Sequence, residues 1–144
     1  MTFGALLTLL ALGCATTTPT LTTAGIDAAA AKYAQTLKGG TPDDVAAFFA
    51  VDGELQLPVM NALHGPAAIR DFLAPMAATI VIDACTMVSD MTSVDGTHAT
   101  QFGHYEQTAG ERGKDHHTYT GRFAALWQWD GGRWHIVRLM MQPK

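Results

Sequence analysis

The stretch that most constrains the fold of this chain is the last one, residues 121–142, which reads as two apolar strands joined by a tight turn. An Asp-Gly-Gly segment at residues 130–132, set between runs rich in aromatic and branched side chains, predicts a β-hairpin. A two-residue loop would pair Trp129 with Trp134 and Trp127 with Ile136. Aromatic cross-strand pairs of this kind contribute about 0.2–1 kcal/mol each relative to an alanine pair.

The other side of this hairpin is apolar as well. We expect it to carry, paired across the strands, Ala124, Leu126, Val137 and Leu139. Because successive residues of a strand point to opposite faces, Arg138 would then share a face with Trp134 and Ile136, where a charge needs a partner or an opening. A hairpin that is apolar on both faces belongs in the middle of a sheet that is covered on both sides.

Residue periodicity predicts three helices and a strand, followed by a long meander of strands. The helices are expected at residues 26–38, at a short segment that begins with Thr41 as N-cap and includes Phe48 and Phe49, and at residues 67–74, which Pro75 should limit. The strands are expected at residues 54–59, 79–91, 97–107, 116–129 and 133–141. Long strands in this order form a strongly bent antiparallel sheet that packs on helices, which is an α+β fold.

Composition and charge exclude some classes of protein. A chain of 144 residues with 48% hydrophobic and 15% charged residues is a single globular domain rather than a disordered chain. The formal net charge is −4 and no cluster of Lys and Arg interrupts this balance. We therefore expect no nucleic-acid partner.

The first 20 residues differ from the rest of the chain. Residues 3–13 are apolar, and no charged side chain occurs before Asp27. This run is too short to span a bilayer comfortably but suits the apolar part of a secretory signal. Residues 10–14, which end in Cys14, resemble the lipobox of bacterial lipoproteins, and a Thr-rich tether follows. We expect an exported, periplasmic lipoprotein anchored through Cys14, with residues 21–144 as its folded domain. The alternative is an apolar first helix packed on that domain.

Three motifs resemble, in order and spacing, those of the nuclear transport factor 2-like superfamily, and within it SnoaL-like domains. They are found at residues 48–53, 64–72 and 123–138. The resemblance implies a cone-shaped α+β barrel in which three N-terminal helices pack on a strongly curved, mainly antiparallel sheet, with an apolar cavity at the open end. It also implies a homodimer formed through the outer sheet face. Fold does not fix function, because this superfamily includes enzymes as well as binding domains.

The groups that a ketosteroid isomerase needs are a tyrosine, an aspartate base and a protonated acid. The resemblance to that enzyme places Tyr33 at its oxyanion-binding tyrosine. It places Leu57 at the base and Ala125 near the second acid. Ketosteroid isomerisation is therefore not expected. Tyr33 either packs in the core or presents its hydroxyl group to a pocket.

Two other cofactor-free chemistries stay open from the sequence. Chemistry like that of limonene epoxide hydrolase would need Arg138 with acids, and Asp83 in another apolar run is a conceivable partner for an active or a structural ion pair. A site like that of scytalone dehydratase would use histidine, tyrosine and an acid, for which the candidates are His104, Glu106 and Tyr119.

The position of Glu106 decides whether the histidine, tyrosine and acid candidates could act as a general base. Even pairing across the intervening turn would bring Glu106 near His116 or His117. A histidine–carboxylate pair inside a cavity is a reasonable general base, whereas at the rim it is a solvated cross-strand pair. Adjacent His116 and His117 point to opposite faces of a strand and no zinc-ligand spacing occurs, so we expect neither a metal nor another cofactor.

The sequence thus favours an exported domain that binds a small, mainly apolar molecule in a cavity. The candidate lining residues are Tyr33, Leu57, Phe72, Asp83, Trp127 and Arg138. The alternatives are a cofactor-free lyase, isomerase or hydrolase, and an association module without catalysis. Polar candidates that converge on one enclosed cavity would favour catalysis. Polar groups scattered around an apolar cavity would favour binding.

Overall fold

A computed structural model describes residues 21–144, and the predicted signal segment with Cys14 lies outside these residues. The helices are α1 (Thr23–Gly39), α2 (Pro42–Ala46) and α3 (Gly65–Thr79). The strands are β1 (Phe49–Gln56), β2 (Leu63–His64), β3 (Ile80–Asp95), β4 (His98–Glu111), β5 (His117–Trp129) and β6 (Trp134–Pro143). The expected α+β fold is confirmed. None of the helices in the described part of the chain is long and apolar enough to cross a membrane.

The strands form one sheet of six in the order β2-β1-β6-β5-β4-β3. Only the β1–β6 pair is parallel, and the other neighbours are antiparallel. The strongly curved sheet that the resemblance implied is present but does not close into a barrel, since β2 and β3 remain at its two edges. The helices pack against this open sheet, and together they form the cone-shaped fold.

The predicted hairpin is β5–β6, and it occupies the two central positions of the sheet. Trp129 pairs with Trp134 as expected, with ring centroids 5.5 Å apart at an edge-on angle of 64°. Asp130 holds the turn, because its Oδ1 accepts hydrogen bonds from the backbone N–H groups of Gly132 (2.8 Å) and Arg133 (2.9 Å). These bonds, and a further one from His135, keep the pKa of Asp130 well below its ordinary value.

A β-bulge changes the second half of this hairpin. Trp127 pairs with Ile136, but the next pair is Leu126 with Arg138, so Val137 is an extra residue in β6. The expected pairing of Leu126 with Val137 is therefore wrong. A one-residue shift exchanges the two faces of a strand. Leu139 is consequently fully buried opposite Ala125, and Arg138 lies on the outer face of the sheet.

Helix α1 packs in the concavity of the sheet through one buried stripe. Its buried residues are Ile26, Ala30, Tyr33 and Ala34, which recur at helical spacing. The Thr41 hydroxyl accepts from the Asp44 N–H and the Asp44 carboxylate accepts from the Thr41 N–H, so α2 begins with a reciprocal capping box. The core of the domain lies between α1 and the inner face of the central strands.

Two element boundaries differ from the sequence-based expectation. Pro75 does not end α3, which continues to Thr79. The backbone N–H that proline lacks would have bonded the carbonyl of Asp71, an exposed residue where water can replace it. Phe49 belongs to β1 rather than to the second helix. It is 3% exposed and pairs with Ile136 of β6, so a long-range contact overrides the local pattern.

Candidate functional site

The three candidate catalytic side chains do not converge. His104 lies on the outer face of the sheet, half exposed, with its Nδ1 3.0 Å from Oδ1 of Asp90. Glu106 is also exposed and pairs with Thr86 and Thr120. Tyr119 pairs with Gln107 and is 51% exposed, on the opposite face of the sheet from His104 and Glu106.

The expected approach of Glu106 to His116 or His117 is wrong. Residue His117 pairs with Ala109, three positions beyond Glu106, because β4 extends further toward the turn than its polar sequence indicated. His116 instead contacts Asp83, with Nδ1 2.5 Å from Oδ2. Its Nε2 lies 3.2 Å from the backbone oxygen of Glu111. Both ring nitrogens therefore face acceptors, which is the arrangement of an imidazolium.

Asp83 and Arg138 do not form the ion pair that the sequence left open. Asp83 lies at a bulge of β3, where the register with β4 shifts between Ile82 and Ala84. Arg138 Nη2 lies 2.9 Å from Oε2 of Glu54, its register partner on β1. The Arg138 side chain is 49% exposed, so this pair lies at the surface.

The residues expected to line one pocket are distributed over the molecule. Tyr33 is 2% exposed and makes edge-on ring contacts with Phe48 and Phe49 at 5.5 and 6.1 Å, and burial raises its pKa. Trp127 is buried in the same core. Phe72 is half-buried on α3, whereas Leu57 packs against the edge of the core and lines a separate groove with Phe102 and Met140.

An apolar cleft lies instead where the C-terminal ends of α1 and α3 meet the edge of the sheet. Its volume is about 270 Å³. It is lined mainly by aliphatic residues from the three helices and β3, with polar side chains from Lys38, Gln107 and Arg112; the apolar members are Leu37, Pro42, Val45, Leu73, Met76, Ala77, Ile80, Val81 and Ile82. Pockets for small molecules are commonly concave, mainly apolar and provided with a few polar groups.

Gln107, one of the polar residues that line the cleft, contacts Cys85 of β3, which does not line it. The Cys85 thiol donates a long hydrogen bond to Gln107 Oε1, at 4.0 Å. Burial raises the pKa of Cys85 to about 11. The thiol therefore stays protonated at neutral pH and is a poor nucleophile.

The interior of the domain contains little that could transfer a proton. Gln101 is the sole buried polar or charged residue in the part of the chain that the structure describes. Its Nε2 donates to Ser89 Oγ (2.7 Å) and Asp27 Oδ1 (3.2 Å), and its Oε1 accepts from Trp127 Nε1 (3.2 Å). This network joins α1 to three strands and gives both the Nε2 and the Oε1 of Gln101 hydrogen-bond partners, so its role is structural. Across residues 21–144, no group of three or more His, Cys, Asp or Glu side chains is placed to hold a metal ion.

Sequence reasoning identified parts of the cleft without locating it. Leu37 and Leu73 belong to the helices predicted at residues 26–38 and 67–74, and both line the cleft. Gln107 occupies an inward position of a predicted strand. Their meeting point depends on the length of α3 beyond Pro75, which local sequence signals did not predict.

Comparison with known proteins agrees with this architecture. The family model for the SnoaL-like domain matches residues 30–137. A search among curated protein sequences gave no significant match.

Solved structures share the fold at low sequence identity. A ketosteroid isomerase-like protein from Erwinia carotovora atroseptica superposes with a TM-score of 0.72 at 19% identity, covering 83% of this chain and 94% of the other. A Mycobacterium tuberculosis protein of unknown function gives a TM-score of 0.75 at 19% identity, covering 84% of this chain and 70% of the other. An NTF2-like protein from Novosphingobium aromaticivorans gives 0.68 at 18% identity, with coverages of 82% and 79%. Because the family model extends over most of the folded part of the sequence, the chain belongs to the family of SnoaL-like domains.

Proposed function

We propose that this domain binds a small, mainly apolar molecule in the cleft between α1, α3 and the edge of the sheet. The observation that carries the proposal is a contrast between two regions. The cleft is lined largely by aliphatic side chains, whereas His104, Asp83 and Arg138 each pair with a different residue at the surface. Catalysis by acid and base groups requires them to be within hydrogen-bond reach of one substrate. Binding requires only an apolar enclosure.

Cleft-filling variants test this proposal. Ala77 lines the cleft, and Ala78, also exposed, is the next residue of α3 but does not line it. Octan-1-ol added to ¹⁵N-labelled protein should shift amide signals of Leu73, Ile82 and the Gln107 side chain in a saturable manner. Ala77→Trp should abolish these shifts and Ala78→Trp should leave them. Shifts that do not saturate, or that Ala77→Trp leaves unchanged, would contradict binding in this cleft.

A second proposal concerns association with another copy of this chain. Met91, Phe102, Ala124 and Met140 are successive register partners across four strands and form an apolar row on the outer sheet face. Met91, Phe102 and Met140 are 56%, 44% and 44% exposed. A two-fold symmetric contact would cover this row with itself, as isologous interfaces do.

A measurement of the oligomeric state tests the second proposal directly. Light scattering after size-exclusion chromatography should give the mass of a dimer for the wild-type protein and of a monomer for Phe102→Asp. Val51 is 91% exposed and lies outside the row, so Val51→Asp is the matched control and should remain dimeric. A wild-type protein that is monomeric at about 100 µM, well above the micromolar Kd of a weak specific complex, would exclude this association.

The third proposal, export with lipidation of Cys14, rests on the sequence of residues 1–20 alone. Mass spectrometry of the protein recovered from bacterial membranes should find a mature chain that begins at an acylated Cys14. Recovery of a chain that retains Met1 would contradict export.

A further inference from the structure

The cleft combines an apolar wall with an unbalanced charge at its rim. Two of its lining residues, Lys38 and Arg112, are cationic, and none of the 13 acidic residues of the chain lines it. The chain as a whole carries a net charge of −4, so this local excess of positive charge opposes the average of the molecule. Clefts lined by one sign of charge concentrate ligands of the opposite sign.

The acids that flank the cleft are already engaged within the chain. Glu111 forms an ion pair with Lys114, and Asp43 lies 3.9 Å from Arg70. The Asp44 carboxylate accepts hydrogen bonds from the backbone N–H and the hydroxyl of Thr41, each at 2.8 Å. By contrast, neither Lys38 nor Arg112 forms an ion pair among residues 21–144.

The C-terminal ends of α1 and α3 at the cleft carry partial negative charge, which opposes the positive charge of Lys38 and Arg112 but is smaller. Each helix C-terminus carries about half a negative charge, whose influence falls off within the last turn. Part of this negative charge is offset by backbone donors. The N–H of Gly40 donates to Thr36 O at 2.7 Å, and the N–H of Arg112 donates to Thr79 O at 2.8 Å. Two full positive charges therefore exceed the contribution of the two helix ends.

We propose that the ligand of this cleft is an amphipathic anion, a short aliphatic chain with a carboxylate or similar head group. The chain contacts the aliphatic wall, and the head lies at the rim beside Lys38, Arg112 and the amide of Gln107. The volume of about 270 Å³ equals that of about nine water molecules at about 30 Å³ each, so a short aliphatic acid such as octanoate is a suitable probe. This inference rests on the proposed binding function and names the ligand class for that site.

Three probes of equal chain length test the head group separately from the chain. Octanoate, octan-1-ol and octylammonium are titrated into the ¹⁵N-labelled protein, and a dissociation constant is derived from the signals of the cleft residues. Octanoate should bind about tenfold more tightly than octan-1-ol, because exposed ion pairs contribute up to about 1 kcal/mol each, which is about a factor of five. Octylammonium should bind most weakly. In about 1 M NaCl, where the Debye length is about 3 Å, the preference should largely disappear.

Charge-neutral variants assign the preference to individual residues. Arg112→Gln and Lys38→Gln should each reduce octanoate affinity about threefold, so that the two together account for the tenfold preference, and both should leave octan-1-ol affinity unchanged. The matched controls are Arg122→Gln, on the outer sheet face, and Lys32→Gln, on α1 away from the cleft. Both controls should bind octanoate as the wild type does.

The outcomes separate this inference from the function on which it rests. Octan-1-ol or octylammonium binding as tightly as octanoate would overturn the anion inference and leave the binding function intact. Equal losses of octanoate affinity in Arg112→Gln and Arg122→Gln would also overturn it, since the effect would then come from net charge. Saturable binding of none of the three probes would overturn the proposed function itself.

Discussion

Arg138 on β6 and Glu54 on β1 are register partners, and their side chains meet at 2.9 Å between Nη2 and Oε2 on the outer face of the sheet. His64 of β2 approaches the same Glu54 oxygen at 3.9 Å. The pair therefore joins β6, one of the two central strands, to its parallel neighbour β1. It also accounts for a charge that sequence alternation had placed on the core face.

A double-mutant cycle on this pair tests its surface location. Because Arg138 is half exposed, Arg138→Gln, Glu54→Gln and the double variant should give a coupling free energy of about 0.2–1 kcal/mol in urea unfolding. If Arg138 lay on the core face beside Trp134, removing its partner would leave a buried charge and cost about 3–5 kcal/mol. A coupling energy in that higher range would contradict the bulge at Val137.

The His116–Asp83 contact predicts a pH dependence of stability. The hydrogen bond that His116 donates to the Asp83 carboxylate raises the pKa of His116 above its ordinary 6.5, and the nearby Asp115 and the Glu111 carbonyl act in the same direction. A raised folded-state pKa means that protonation favours the folded protein. This stabilisation is fully present below 6.5 and is lost as the pH rises through the raised pKa.

Thermal unfolding between about pH 5.5 and about pH 8.5 measures this effect. Asp83→Asn should flatten the fall in melting temperature toward alkaline pH. His117→Asn, which changes the adjacent exposed histidine, should retain that fall. A wild-type profile that rises with pH over this interval, with Asp83→Asn rising in parallel, would disprove the role of the contact.

Gly121 is predicted to tolerate no side chain. It pairs with Tyr105, and a Cβ there would lie 2.5 Å from Tyr105 Cε1 and would also overlap the backbone oxygen of Gln142. Gly121→Ala should reduce the free energy of unfolding by about 1–3 kcal/mol, as overpacking does. Gly39→Ala is the control, since a Cβ there meets nothing within 4 Å. It should be neutral or gain up to about 1 kcal/mol, and equal effects of the two changes would refute the packing argument.

Gln101 should be required for the polar network that ties α1 to the sheet. Gln101→Leu removes the acceptor of the buried Trp127 N–H and two donors to Ser89 and Asp27. We expect a loss of about 1–3 kcal/mol in unfolding free energy, because a buried donor is left unsatisfied. Faster solvent exchange of the Trp127 indole proton should accompany it. Gln107→Leu, in the cleft, should cost less than about 0.5 kcal/mol. A larger loss for Gln107→Leu than for Gln101→Leu would contradict the stabilising role of this network.

The fold could be predicted because its signals are local and agree with one another. The Asp130 turn, the Trp129–Trp134 pair and the Thr41 cap each depend on residues close in sequence. The three family motifs then supplied the order in which the elements assemble, which the match to residues 30–137 bears out.

The candidate site could be predicted only in part. His104 and Glu106 are exposed on β4 and Tyr105 between them is buried, as the alternation of strand side chains predicts. Alternation misplaced Arg138 because a bulge adds Val137 to β6, and β3 has similar bulges at Asp83 and Asp90. After each bulge every later side chain changes face, so one local error relocates a whole set of residues.

By itself, the sequence determined the class of fold and the central hairpin. Tertiary structure alone decided that Arg138 pairs at the surface, that His104 lies exposed on the outer sheet face and that the apolar cleft lies at the ends of α1 and α3. The physical reason is that turns and caps are stabilised by neighbours along the chain. The face of a strand residue depends instead on register across several strands, which is settled by burying Leu139, Ile136 and Trp127 together.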